Sequence, residues 1–172
     1  HALQHRGQEA AGIVSFDERG EFHVHKGIGL VSDVYDDEIL ASLHGGMAVG
    51  HNRYSTTGSL PLENTQPLRV VYRGGPLALA HNGNLVNARE LRQGLEGAGS
   101  IFQTTLDTEI FLHLIALSGA DQVEDALIEA ARQVTGAYSL LVLTEHSVIA
   151  LRDPHGFRPL CLGRLTDGYV VA

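Results

Sequence analysis

The order of apolar and polar positions divides the chain into strands and helices and shows no internal repeat. Residues 12–16 and 22–26 flank Asp17-Glu18-Arg19-Gly20 and fit two strands joined by a glycine-containing turn. Residues 1–9 read as the tail of a helix. Residues 33–43 place Val34, Ile39, Leu40 and Leu43 at roughly helical spacing, with acids near the start, where the helix dipole favours them. Strands are predicted over 47–55, 68–72 and 76–80, the last two joined across Arg73-Gly74-Gly75. Helices are predicted over 87–95, 107–117 and 121–134, and strands over 138–144, 148–152, 160–163 and 169–172. Helices grouped between runs of strands point to an α+β arrangement of packed sheets flanked by helices, rather than a doubly wound parallel sheet.

Composition narrows this picture. At 172 residues and 44% hydrophobic, the chain can bury one substantial core, and no linker or low-complexity segment divides it, so residues 1–172 read as one domain. A net charge of −8 without a basic cluster excludes a nucleic-acid partner. The single cysteine, Cys161, excludes an internal disulfide framework and suits a reducing cytoplasm. No apolar run approaches the roughly 20 residues of a membrane span. The chain opens on His1 rather than Met, as expected of a fragment.

Three strings carry the candidate chemistry: His51-Asn52-Arg53-Tyr54-Ser55-Thr56-Thr57-Gly58, His81-Asn82-Gly83-Asn84 and Leu106-Asp107-Thr108-Glu109. A guanidinium, a carboxylate and spare amide donors on one domain could hold a free amino acid by both ends and still stabilise an oxyanion. Each residue also has a plain structural reading. Arg53 could be a surface or ion-paired arginine, Asn82-Gly83 a hairpin turn, and Asp107 the cap of the helix it precedes. Arg152, Asp153 and Arg158 read as an ion-paired loop. The ten histidines are scattered; His23 and His25 share a strand face without a nearby third ligand, so hydrogen-bonded histidines are expected and no metal site. Cys161, between Leu160 and Leu162, reads as buried and inert.

With Gln4-His5-Arg6-Gly7-Gln8, Gly136-Ala137-Tyr138-Ser139 and Arg152-Asp153-Pro154-His155-Gly156-Phe157-Arg158-Pro159-Leu160 added, the whole chain resembles the glutaminase domain of the class II, N-terminal-nucleophile glutamine amidotransferases. The strings favour the branch that makes 5-phosphoribosylamine from glutamine and 5-phosphoribosyl diphosphate, the first step of purine synthesis.

This resemblance implies a four-layer αββα sandwich lacking its first strand. It also implies a nucleophilic N-terminal Cys, expected upstream of His1 and not in this chain, whose own α-amino group acts as base near neutral pH. The fragment alone would then be inactive. By the same resemblance Arg53 binds the glutamine α-carboxylate, Asp107 its ammonium, and Asn82 and Gly83 form the oxyanion hole. Arg6 lies near the nucleophile, and Tyr54, Ser55 and Thr56 shape the pocket floor. Leu106 stands where the family usually has Ser, so a capping hydroxyl is lost. No cofactor is implied here. Magnesium belongs to a phosphoribosyltransferase domain expected beyond residue 172, an iron–sulfur cluster in the parent is left open, and the full-length protein is expected to be a cytoplasmic homo-oligomer. Two alternatives stand beside this reading: a glutaminase serving a sugar phosphate or aspartate, and a non-catalytic glutamine-binding scaffold.

Overall fold

The computed structural model describes residues 2–54 and 62–172. Two antiparallel sheets face each other. The first has the order β2(Phe22–Ile28), β1(Ala10–Phe16), β3(Met47–Arg53); the second has the order β4(Leu68–Tyr72), β5(Gly75–Leu85), β6(Gly136–Leu143), β7(Val148–Arg152). Between them lie Val14, Val49, Ala78, Ala80 and Leu143, with Phe16, Phe22, Met47 and Leu141 at the edge. The small alanines of β5 let the sheets approach closely.

Helices cover both outer faces. α4(Thr108–Leu117) packs on the four-stranded sheet, and α3(Ala88–Gly97) and α5(Val123–Ala131) pack against α4. Their core centres on Phe111, Ile110, Ile115, Leu127 and Leu140, all at most 2% exposed. α4 is apolar nearly all round, as a helix sandwiched between a sheet and α5 must be. The short α1(Val31–Val34) and α2(Asp37–Ser42) cover the three-stranded sheet through Ala11, Val34 and Tyr35. The result is the four-layer αββα order, and its α+β class agrees with the sequence reading.

Three local expectations need correction. Among the described residues, 2–9 hold one 3₁₀ turn, Gln4–Arg6, followed by extended chain. Gln4 fixes this turn, donating to Gly7 O at 2.6 Å and accepting from Val31 N at 2.6 Å. The helix expected over 33–43 breaks at Tyr35, whose ring turns inward and whose hydroxyl donates to His25 O at 2.8 Å; Asp36 then caps α2 by accepting from Ile39 N. Cys161 is exposed rather than buried, because β8(Leu162–Arg164) and β9(Tyr169–Val171) form a separate two-stranded sheet.

Candidate functional site

Successive residues on a strand face opposite ways, so Val49, His51 and Arg53 share the inner face of β3, and Ala78, Ala80 and Asn82 that of β5. Val49, Ala78 and Ala80 fill the inter-sheet core; beyond them the sheets part around a cleft of about 630 Å³. Arg6, Arg53, Tyr54, Asn82, Gly83 and Asp107 all line it. Ser55 and Thr56 lie outside the described residues.

Arg53 donates from Nη1 to Asn64 O at 2.6 Å. The Asn64 side chain in turn accepts from Thr105 N at 3.1 Å and donates to Thr105 Oγ1 at 2.9 Å. One buried amide thus ties the arginine to the loop that delivers the aspartate. Glu109 secures the same loop by accepting from the backbone N–H groups of Gln103 and Thr104 and from the Thr104 hydroxyl. Burial lowers the Arg53 pKa, opposed by the Glu9 and Asp107 carboxylates, and the group remains a cation at neutral pH.

Asp107 occupies the N-cap position of α4, yet its side chain makes no capping bond. Instead Oδ2 accepts from Leu85 N at 2.9 Å, and Oδ1 lies 3.4 Å from Nδ1 of the buried His81. Burial pushes this carboxyl up, but the His81 contact and the Leu85 N–H outweigh it and hold the pKa below the ordinary aspartate value. A carboxylate beside a cleft that also holds a guanidinium suits a zwitterionic ligand. Leu106 packs against the helix-side core, so the position expected to offer a cap hydroxyl contributes apolar area.

Asn82-Gly83 is not a turn. Both residues continue β5 in register with Ser139 and Tyr138 of β6. A Cβ on Gly83 would overlap the Ala137 carbonyl oxygen and come within 2.7 Å of Tyr138 Cα, so only glycine permits this strand spacing.

The segment around Asp153 is also not an ion-paired loop among the described residues. The carboxylate accepts from the backbone N–H groups of Tyr138, His155, Phe157 and Arg158, while Arg158 faces the cleft. His23 does have acidic neighbours: its Nε2 sits 2.9 Å from Asp17 Oδ2, and Glu21 lies close by. Asp17 Oδ1 already accepts from Arg19 N and Glu21 N, so this cluster closes the β1–β2 turn. His25 bonds to Val34 O.

Sequence reasoning missed Asn64, Gln66 and His51. The polar run Asn64-Thr65-Gln66 is at most 5% exposed throughout. Gly12 admits it to the interior, since a Cβ there would overlap Gln66 O.

Residues 51–172 match the family model described as a glutamine amidotransferase domain. Amidophosphoribosyltransferase 2, chloroplastic, of Arabidopsis thaliana is 51% identical over 99% of this chain and 30% of its own length. The Bacillus subtilis amidophosphoribosyltransferase is 49% identical over 100% of this chain and 36% of its own length. The solved B. subtilis glutamine phosphoribosylpyrophosphate amidotransferase, complexed with ADP and GMP, superposes with a TM-score of 0.92 at 48% identity, covering 99% of this chain and 37% of that one. A structure described as the allosteric regulatory enzyme of purine biosynthesis superposes with a TM-score of 0.95 at 48% identity, again over 99% of this chain and 37% of that one. The chain thus spans about a third of the length of these relatives.

Proposed function

Because this chain belongs to the glutamine amidotransferase domain family, we propose that it is the glutaminase unit of an amidophosphoribosyltransferase, releasing ammonia from glutamine for 5-phosphoribosylamine synthesis. The observation that carries this reading is the convergence of Arg53, Asp107, Asn82 and Gly83 on one cleft from three separate elements.

In this reading the Arg53 fork binds the α-carboxylate and Asp107 the α-ammonium group, which directs the side-chain amide of glutamine toward Asn82. A cysteine thiolate, supplied by the N-terminal residue that the family resemblance implies, attacks the amide carbon. The carbonyl π-electrons move to oxygen, and the Asn82 amide and the Gly83 N–H donate hydrogen bonds to the resulting oxyanion. The C–N bond then breaks, nitrogen takes a proton and leaves as ammonia, and a thioester remains. Water adds to that thioester and releases glutamate and the thiol. Arg6 and Tyr54 both line the cleft; in this reading Arg6 lies near the nucleophile and Tyr54 shapes the pocket floor.

Residues 1–172 act as one glutaminase domain. Ammonia passes to a phosphoribosyltransferase domain carried by the parent chain, where magnesium and 5-phosphoribosyl diphosphate bind. The parent assembles as a homo-oligomer. No described helix is long and apolar enough to cross a membrane. We assign the protein to the cytoplasm, although the plant relatives are chloroplastic. The test is an assay of the parent protein with glutamine and each acceptor in turn. Glutamate and 5-phosphoribosylamine should form in equal amounts with 5-phosphoribosyl diphosphate. Preferential coupling to a sugar phosphate or aspartate would overturn the acceptor, and absence of glutamate would overturn the glutaminase.

A further inference from the structure

The β4–β5 ladder ends at the pair Leu68↔Leu79, two residues short of His81. Beyond it the His81 N–H and C=O on that edge of β5 are buried, and each would carry a desolvation penalty if left unpaired. The side chain of Gln66 takes the place of the missing strand. Its Oε1 accepts from His81 N at 2.7 Å and its Nε2 donates to His81 O at 3.3 Å. His51 Nε2 lies 3.1 Å from the same carbonyl oxygen. Because a carbonyl only accepts, the His51 ring carries its proton on Nε2. Burial pushes this imidazole down to about 4, so it stays neutral near neutral pH.

The His81 carbonyl belongs to the peptide that leads into Asn82. On the opposite edge β6 continues its pairing through Asn82↔Ser139 and Gly83↔Tyr138. The segment is therefore held from both sides, by a regular ladder on one and by two side chains on the other. From this geometry we propose that Gln66 and His51 are positioning residues for the oxyanion hole, fixing the His81–Asn82 peptide and with it the directions of the Asn82 amide and the Gly83 N–H.

The inference rests on the glutaminase reading. Oxyanion donors act through small distances and angles, with tolerances of roughly 0.5 Å and 10–20°. Tilting the peptide should therefore weaken transition-state binding while leaving ground-state glutamine contacts at Arg53 and Asp107 intact. The test compares steady-state glutamine hydrolysis by the full-length protein as wild type, Gln66→Met, His51→Phe and His51→Gln, with thermal melting alongside. Removing a donor outright typically costs about 10²–10³ in kcat. Misplacing the pair should cost about 10- to 100-fold in kcat for Gln66→Met and His51→Phe, with KM for glutamine within about threefold. His51→Gln, which keeps an N–H for the His81 carbonyl, should recover most of the rate. If Gln66→Met does not fold, the His51 pair gives the same reading. Wild-type hydrolysis with kcat unchanged in His51→Phe, or equal losses in His51→Phe and His51→Gln, would overturn the positioning role alone. A wild type that releases no glutamate would overturn the glutaminase reading beneath it.

Discussion

Gly83→Ala should damage stability and catalysis together. The added Cβ would overlap the Ala137 carbonyl oxygen and lie 2.7 Å from Tyr138 Cα and 2.8 Å from His81 Nε2. Two of these neighbours are backbone of β6, held in register by the Gly83↔Tyr138 pairing, and the third is a buried ring in contact with Phe111 and Thr108. None can swing aside, so β5 must lift from β6 by roughly the difference between 2.7 Å and an ordinary contact near 3.5 Å. Overpacking of this kind costs about 1–3 kcal/mol, and backbone neighbours put this case in the upper half. At about 2–4 °C per kcal/mol for a domain of this size, Tm should fall by about 4–12 °C. The same displacement would move the Gly83 N–H away from the oxyanion position proposed for it. That loss should lower kcat for glutamine hydrolysis by about 10²–10³, or about 2.7–4 kcal/mol, with little change in KM. Calorimetric melting and a glutamate-release assay on the parent protein read the two effects separately. A variant within 0.5 °C in Tm and threefold in kcat, both as rough limits of measurement, would refute the close-approach reasoning.

Other substitutions test other parts of the structure. Asp107→Asn keeps an oxygen for Leu85 N–H but removes the charge proposed for the ammonium group, so glutamine affinity should drop by about 10- to 150-fold, or 1.5–3 kcal/mol. In wild type the same carboxyl has a lowered folded-state pKa. Its contribution to stability is therefore present above the unfolded value near 3.9 and is lost as pH falls through the folded value, an effect that acid titration of wild type against Asp107→Asn should show. Asp17, lowered to about 2 chiefly by its hydrogen bond with His23, should behave in the same way, and Asp17→Asn should lack the stability that wild type holds in full above about pH 4 and loses as pH falls toward about 2. Phe111→Ala empties the centre of the helix-side core, where the ring is 0% exposed and meets Tyr138 and His81. It should cost about 3–5 kcal/mol in denaturant titration, and a loss under 1 kcal/mol would show that the core collapses around the gap.

Some of this arrangement was legible in the sequence because its causes are local. The β1–β2 hairpin follows from Asp17 to Gly20, whose turn chemistry the Asp17 carboxylate completes. The break at Tyr35 was not legible, because the oxygen that draws its hydroxyl inward belongs to His25 on β2. Asn82-Gly83 carries a strong turn signal in isolation and becomes strand only because Ser139 and Tyr138, more than fifty residues away, supply the ladder. Gln66 could not be recognised at all. A buried side-chain amide standing in for a strand is visible only once β4 is seen to stop at Leu68. For the same reason Arg53, Asn82 and Asp107 could be grouped by motif, whereas their convergence on one cleft depends on how the two sheets pack.

If the cleft holds glutamine between Arg53 and Asp107 as proposed, calorimetric titration of glutamine into the parent protein should distinguish wild type from Arg53→Ala. Saturable binding to wild type, weakened at least about tenfold in Arg53→Ala by loss of a charge-assisted bond worth about 1.5–3 kcal/mol, is the expected result. Equal affinities in the two proteins would remove Arg53 from the site, and no binding to wild type would contradict the assignment of the cleft.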